Sequence, residues 1–210
     1  MPNHRRLGRP PASSGEDTRA RLVLSARHCF AEYGYAGTSN RHIAEASGLT
    51  TGAIYHYFSS KQELYFVAFE GVQELIYDRF RAAVLGKVGL LAELGAVFDE
   101  AVVLNREDTS LAGFVVAGRT DGHRYPELAP LLEESAQRVE FYEDVFGRAL
   151  ERGELSPQDA PMVMWLLRVI TAGLTFAASD DLEHQAEAVA AVKRLLAGTL
   201  LLPHVDIAGN

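Results

Sequence analysis

The residues best equipped for chemistry fall in one stretch, residues 37–64, which reads GTSNRHIAEASGLTTGAIYHYFSSKQEL. Thr50, Thr51, Tyr55 and His56 gather hydroxyl, phenol and imidazole groups within seven positions. Such groups suit hydrogen bonding to phosphate oxygens and base edges rather than bond making. Gly52 lies among them and lets a backbone approach a partner closely. Tyr55 and Lys61 are expected to hold phosphates, while Thr50, Thr51 and His56 approach base edges. Upstream, Arg5, Arg6 and Arg9 belong to a Pro-rich basic arm that cannot build a helix and is suited to an A/T-rich minor groove.

Catalytic chemistry finds no comparable support. There is no G-x-G-x-x-G, Gly86-Lys87 lacks the upstream glycine of a P-loop, and no G-x-S-x-G occurs. The seven histidines are scattered, without H-E-x-x-H, and His42 with Glu45 reads as a solvated pair. Cys29 is the single cysteine; it reads as a small core residue in a reducing compartment. The expectation is a protein that is not an enzyme and needs neither metal nor cofactor.

The elements that must position the polar residues are two short helices. Thr38 or Ser39 can cap the first, which carries Ile43 and Ala44, and Ser47-Gly48-Leu49 breaks it before a second opens at Thr50 or Thr51. Gly48 tolerates the positive φ of the turn, and Ile43, Leu49 and Ile54 are spaced to plug the angle between the helices. Thr50, Thr51, Tyr55 and His56 then point away from Ile54, toward a major groove. Tyr57 and Phe58 close the second helix. Ahead of this unit, residues 14–17 resemble a capping box opening a helix through Leu22, Ala26, Cys29, Phe30 and Tyr33 that Gly34 ends.

On these residues the chain resembles the TetR-type bacterial transcriptional regulators. It supplies Thr38, Ile43-Ala44, Gly48-Leu49-Thr50, Gly52, Ile54-Tyr55, Tyr57-Phe58, Lys61 and Leu64 of that family's pattern, and departs at Asn40, where an aliphatic residue is usual. The resemblance implies a DNA-contacting set of Arg5, Arg6, Arg9, Thr38, Ser39, Thr50, Thr51, Gly52, Tyr55, His56, Tyr57 and Lys61. It also implies a double-stranded DNA operator, a homodimer, and a second domain that binds a small molecule.

Charge divides the chain in the same place. Residues 1–61 carry eight Lys and Arg against four Asp and Glu, net +4, which leaves twelve against twenty-four, net −12, for the rest. The acidic part repels DNA and helps turn the basic end toward the phosphates. Hydrophobic residues make up 48% of the chain, enough for a sizeable core. Helical spacing recurs throughout and strand alternation nowhere, so the fold expected is all-α; the resemblance implies a three-helix helix-turn-helix domain followed by a larger helical ligand-binding and dimerisation domain. The boundaries are an arm over residues 1–13, a DNA-binding domain over 14–60 and the larger domain over 61–210.

In the larger domain a helix over residues 61–85 contains Gly71, read as a bend or a close contact, and is taken as the only element able to carry movement between the halves. Helices over 88–105 and 110–120 follow, then a turn at Asp121-Gly122-His123. Pro126 opens a long helix to Gly153, and Pro157 opens an apolar one. The last two helices, apolar on several sides, suit either a wholly intramolecular core or, as the resemblance implies, a four-helix dimer interface. Phe98, Phe114, Tyr142, Phe146 and Trp165 are the aromatic candidates for a ligand pocket, with Arg119, Arg168 and Thr171 as polar anchors. The apolar run over 162–178 is interrupted by Arg168 and falls short of the roughly 20 residues of a span, so a soluble, cytoplasmic protein is expected. The competing reading is an architectural DNA-binding protein of the same fold with no effector.

Overall fold

The computed structural model describes residues 15–133 and 135–200, and among these it contains helices and no strand. Helix α1 (Gly15–Gly37) buries Leu22, Ala26, Cys29 and Phe30 and kinks at Gly34, whose φ of 68° is one that side chains with a Cβ rarely adopt. α2 (Asn40–Ser47) and α3 (Thr51–Tyr57) follow, then the long α4 (Lys61–Val84). α5 (Leu90–Glu107), α6 (Ser110–Arg124), α7 (Ala136–Glu151), α8 (Ala160–Asp180) and α9 (Leu182–Leu196) complete the bundle.

Four expectations are corrected here. Asp121-Gly122-His123 is no turn but the last stretch of α6. Its polar residue is held inside, since the Asp121 carboxylate accepts hydrogen bonds from the Tyr35 backbone N–H at 2.9 Å and the Tyr65 hydroxyl at 3.1 Å. The long helix from Pro126 is instead a 3-10 segment, Pro126–Leu132, and a separate α7 capped by Ser135. Pro130 explains the break, because an interior proline removes a helical donor and crowds the preceding turn. The apolar helix opens at Ala160 with Pro161 in its first turn, not at Pro157, and runs 21 residues, long and apolar enough by length and composition to cross a membrane. Gly71 is exposed and a Cβ there would meet nothing within 4 Å, so it marks no close packing.

α4 is also not the only link between the two halves. α6 packs along α1: the Arg27 guanidinium pairs with Asp108 just before α6, Gly113 faces Ala31, and Asp121 holds Tyr35. On its other side α6 abuts α4, where a Cβ on Gly118 would lie 2.4 Å from the Phe69 ring. Absence of a side chain at position 118 is what lets the two helices come this close.

Candidate DNA interface and interior cavity

α2 and α3 are short helices that owe their ends to side chains. The Ser39 hydroxyl accepts the His42 N–H at 3.2 Å, and His42 Nδ1 accepts the Ser39 N–H at 3.4 Å, a reciprocal cap. Gly48, at φ 65°, reverses the chain, and the Leu49 N–H returns to the Ala44 carbonyl at 3.0 Å. Thr50 then caps α3 by accepting the Ala53 N–H at 3.2 Å. Ile43, Ile54 and Phe58 are buried in the angle, with Leu49 half-buried beside them. The cost of the polar Asn40 at the start of α2 is visible, for its Oδ1 is buried without a partner.

This frame leaves one face of α3 open. Thr50, Thr51, Gly52, Tyr55 and His56 are all exposed, Tyr55 at 63%, and Ser39 is exposed at the start of α2. Around Gly52 only the Thr50 hydroxyl comes within 4 Å of an added Cβ, so the fold itself does not demand glycine there. Tyr57 is half-buried, its ring edge-on to His56 at 4.9 Å between centroids.

Two residues expected at this face are turned inward. Thr38 is 1% exposed and donates its hydroxyl to the Cys29 and Gly34 carbonyls at 2.9 and 2.8 Å, which stitches the kink of α1. Lys61 donates its ammonium to the Tyr35 and Thr38 carbonyls at 2.7 and 2.9 Å and lies 4.2 Å from the centre of the Tyr35 ring. Partial burial pulls its pKa below the usual lysine value, against the raising influence of Asp121 and Glu127. Both side chains fasten the reading unit to the bundle rather than facing outward. Arg5, Arg6 and Arg9 lie outside the described residues.

The second feature is a cavity of about 200 Å³ inside the larger half. α4 contributes Phe69, Ile76 and Phe80 to its wall, α5 Phe98 and Asn105, and α6 Leu111, Val116 and Arg119. α7 adds Arg138 and Tyr142, α8 adds Arg168 and Thr171, and α9 adds Gln185. Tyr142 is buried, which pushes its hydroxyl pKa up against the opposing charge of Arg138 and keeps it protonated.

With this geometry in view, comparison with known proteins is direct. Residues 22–68 match the family described as bacterial regulatory proteins, tetR family. The transcriptional regulator UidR of Escherichia coli (strain K12) is 27% identical over 191 residues, covering 90% of this chain and 95% of that protein. The solved structure of Salmonella enterica GusR superposes with a TM-score of 0.71 at 27% identity, over 92% of this chain and 100% of that one. FadR of Bacillus subtilis, solved in complex with stearoyl-CoA, shares the fold at a TM-score of 0.68 and 17% identity, over 88% and 99% of the two chains. The chain thus carries the DNA-binding region of the TetR family and resembles its regulators over most of its length. It is therefore a DNA-binding transcription regulator with an N-terminal helix-turn-helix domain and a larger helical C-terminal domain.

Within this TetR-family fold the expected pocket residues separate into two groups. Phe98, Arg119, Tyr142, Arg168 and Thr171 border the cavity. Phe114 does not; it is fully buried in an aromatic cluster with Phe30, Tyr65 and Phe69, where α6 meets α1 and α4. Phe146 is buried in the core outside the cavity wall. Trp165 is 64% exposed on the outer face of α8, 4.7 Å from the Arg168 guanidinium. Helical spacing could not choose between these outcomes, because an aromatic residue on an apolar stripe serves a core, a cavity or an interface equally well. Asn105 and Gln185, outside the expected set, also border the cavity, and each interrupts an apolar stripe, Asn105 after Phe98 and Val102 and Gln185 before Val189 and Val192. A buried amide in such a row is a signal that sequence does carry.

Proposed function

We propose that this chain is a ligand-responsive repressor that binds a palindromic operator as a homodimer in the cytoplasm and is released by a small apolar or amphipathic effector. Residues 14–60 read DNA, residues 61–210 sense and dimerise, and residues 1–13 are the arm. Thr50, Thr51 and His56 reach base edges while Tyr55 and Ser39 take phosphates and Gly52 admits the backbone of the duplex. Arg5, Arg6 and Arg9 add minor-groove contacts.

The observation that carries the effector is the cavity, because α6 forms part of its wall while its opposite face holds α1. An architectural DNA binder has no use for such a space and is expected to be packed solid. The stearoyl-CoA complex of FadR is a precedent for a ligand in this fold. The dimer is supported by the outer face of α8, where Met162, Trp165, Leu166, Val169 and Phe176 stand exposed together. Two copies joined there can present two α3 helices to half-sites roughly 34 to 36 Å apart.

The switch follows from linkage. A ligand that fits better when α4 and α6 are displaced lowers operator affinity by some factor, and operator must lower ligand affinity by the same factor. The test is a pair of titrations on an operator selected from randomised DNA, with a ligand found by thermal-shift screening. Equal ligand affinity with and without operator would sink effector control and leave the architectural reading.

A further inference from the structure

The polar groups around the cavity are not equivalent. Thr171 and Thr175 donate their hydroxyls to the Leu167 and Thr171 carbonyls, both at 2.8 Å, and the Ser135 hydroxyl donates to Gln73 at 3.2 Å. These are satisfied within the wall. Gln185 is different: it is 1% exposed, borders the cavity, and its Oε1 has no hydrogen-bond partner. A buried amide oxygen of this kind retains its desolvation penalty until a donor reaches it. A hydroxyl meets the requirement in either orientation of the amide, since it both donates and accepts.

Charge at the edge of the cavity is equally uneven. Among the described residues, Arg119, Arg138 and Arg168 border it, together with the exposed carboxylate of Glu133. Elsewhere in this acidic half several arginines hold carboxylates: Arg79 with Glu100 and Glu107, Arg81 with Asp78 and Glu140, Arg148 and Arg152 with Glu93. Among the described residues Arg119 and Arg138 hold none, and Arg119 is exposed, which puts its charge at the solvent edge. The wall also carries apolar side chains, among them Phe98, Leu104 and Leu174. The volume is below the roughly 300 to 1,000 Å³ of pockets that hold drug-sized ligands.

Resting on the effector reading above, we infer that the cavity takes a small organic anion with an apolar body and a hydroxyl group. The anionic end lies against Arg119 and Arg138, and the hydroxyl meets the Gln185 amide inside. A carboxylate suits the guanidinium fork, and removal of the hydroxyl leaves Gln185 unsatisfied, so each end contributes selectivity.

The probes are ω-hydroxyalkanoic acids of six, eight and ten carbons, the matching alkanoic acids and the matching α,ω-diols, titrated calorimetrically into the full chain. At the best length the hydroxy acid is expected to bind about tenfold or more tightly than either the acid or the diol. Gln185→Leu should bring the hydroxy acid down to the level of the parent acid while leaving that acid unchanged, and Gln185→Met, with its matching length, guards against a folding artefact. Arg119→Ala with Arg138→Ala should weaken both acids and spare the diols. A diol as tight as the hydroxy acid would overturn the anionic class. Equal binding of hydroxy and parent acid, or a hydroxyl preference that survives in both Gln185 variants, would overturn the amide assignment, and no binding by any member would overturn the inference whole. Effector control as such fails on a different readout, an operator affinity that no cavity-bound molecule alters, so the two failures are distinguishable.

Discussion

α3 and α8 both present an open face, and the two faces differ in what water does to them. α3 buries Ile54 alone and shows Thr50, Thr51, Tyr55 and His56, groups that solvent hydrates well. α8 buries Leu167, Leu174 and Ala178 and shows Met162, Trp165, Leu166, Val169 and Phe176. Apolar surface removed from water is worth about 25 cal/mol per Å², so every aliphatic or aromatic side chain on that face favours a lasting cover. A polar face can wait for an occasional partner at no cost. On the proposed function, the difference suits α3 to reversible recognition and α8 to permanent association.

The most severe way to break this contrast is Val169→Arg, which puts a charge in the middle of the α8 face. Dimers should fall to monomers in light scattering, and apparent operator affinity should drop about 100-fold or more because the half-sites are no longer linked. An intact dimer would move the permanent interface elsewhere.

Next in size is Asp108→Asn at the junction that holds α1, and with it the reading unit, on α6. Arg27 would be left largely buried without its carboxylate, at a cost of roughly 2 to 3 kcal/mol by analogy with broken buried pairs. Burial works to raise the Asp108 pKa, but the Ser110 hydrogen bonds and the Arg27 charge overcome it and hold the carboxyl below its usual range. A depressed carboxyl stabilises the fold above its unfolded pKa and stops doing so as pH falls through its folded value. The gap between wild type and Asp108→Asn should therefore be full at neutral pH and close below about pH 4, as urea melts at several pH values would record.

Lys61→Met sharpens the contrast by asking which face the lysine serves. With both carbonyls deprived of a charged donor, stability should fall by roughly 2 kcal/mol in denaturant melts. Operator affinity of the folded fraction should hold, whereas a loss of binding at unchanged stability would return Lys61 to the DNA face. The smallest effect is expected from Gly52→Val. Space around Gly52 accepts a side chain, so the melting temperature should barely move while binding to operator and scrambled DNA weakens about tenfold by keeping the duplex away.

The reading unit was largely legible because short helices depend on residues that announce themselves. Ser39 and Thr50 at the caps, Gly48 at the turn, and Ile43 with Ile54 at the crossing each have few alternatives. Lys61 and Thr38 turn inward, away from the DNA face their positions suggest, for one shared reason. A hydroxyl or ammonium next to a binding surface has the same sequence appearance whether it turns out or in, and here the kink at Gly34 exposes carbonyls that draw both inward. In the larger half, Asp121 reads as turn chemistry until the Tyr35 N–H and Tyr65 hydroxyl are placed beside it, partners 86 and 56 positions away. Long-range pairing of that kind leaves no local mark, and the same holds for the cavity, which is defined by side chains from six helices.

The contact between Gly118 and Phe69 works as a thickness gauge. One edge of the Phe69 ring borders the cavity and another rests on a backbone that has no side chain to yield, with a Cβ at position 118 excluded at 2.4 Å. The ring cannot move toward Gly118, so on the proposed switch a guest that presses it in that direction displaces either α4 or α6. Read as a gauge, the contact sets a lower limit on guest size: a molecule too slim to touch Phe69 can occupy the cavity and remain unregistered. Gly118→Ala inserts a shim in the same gap from the opposite side. On the proposed switch, that single methyl group would hold the instrument at its occupied reading with nothing in the cavity at all.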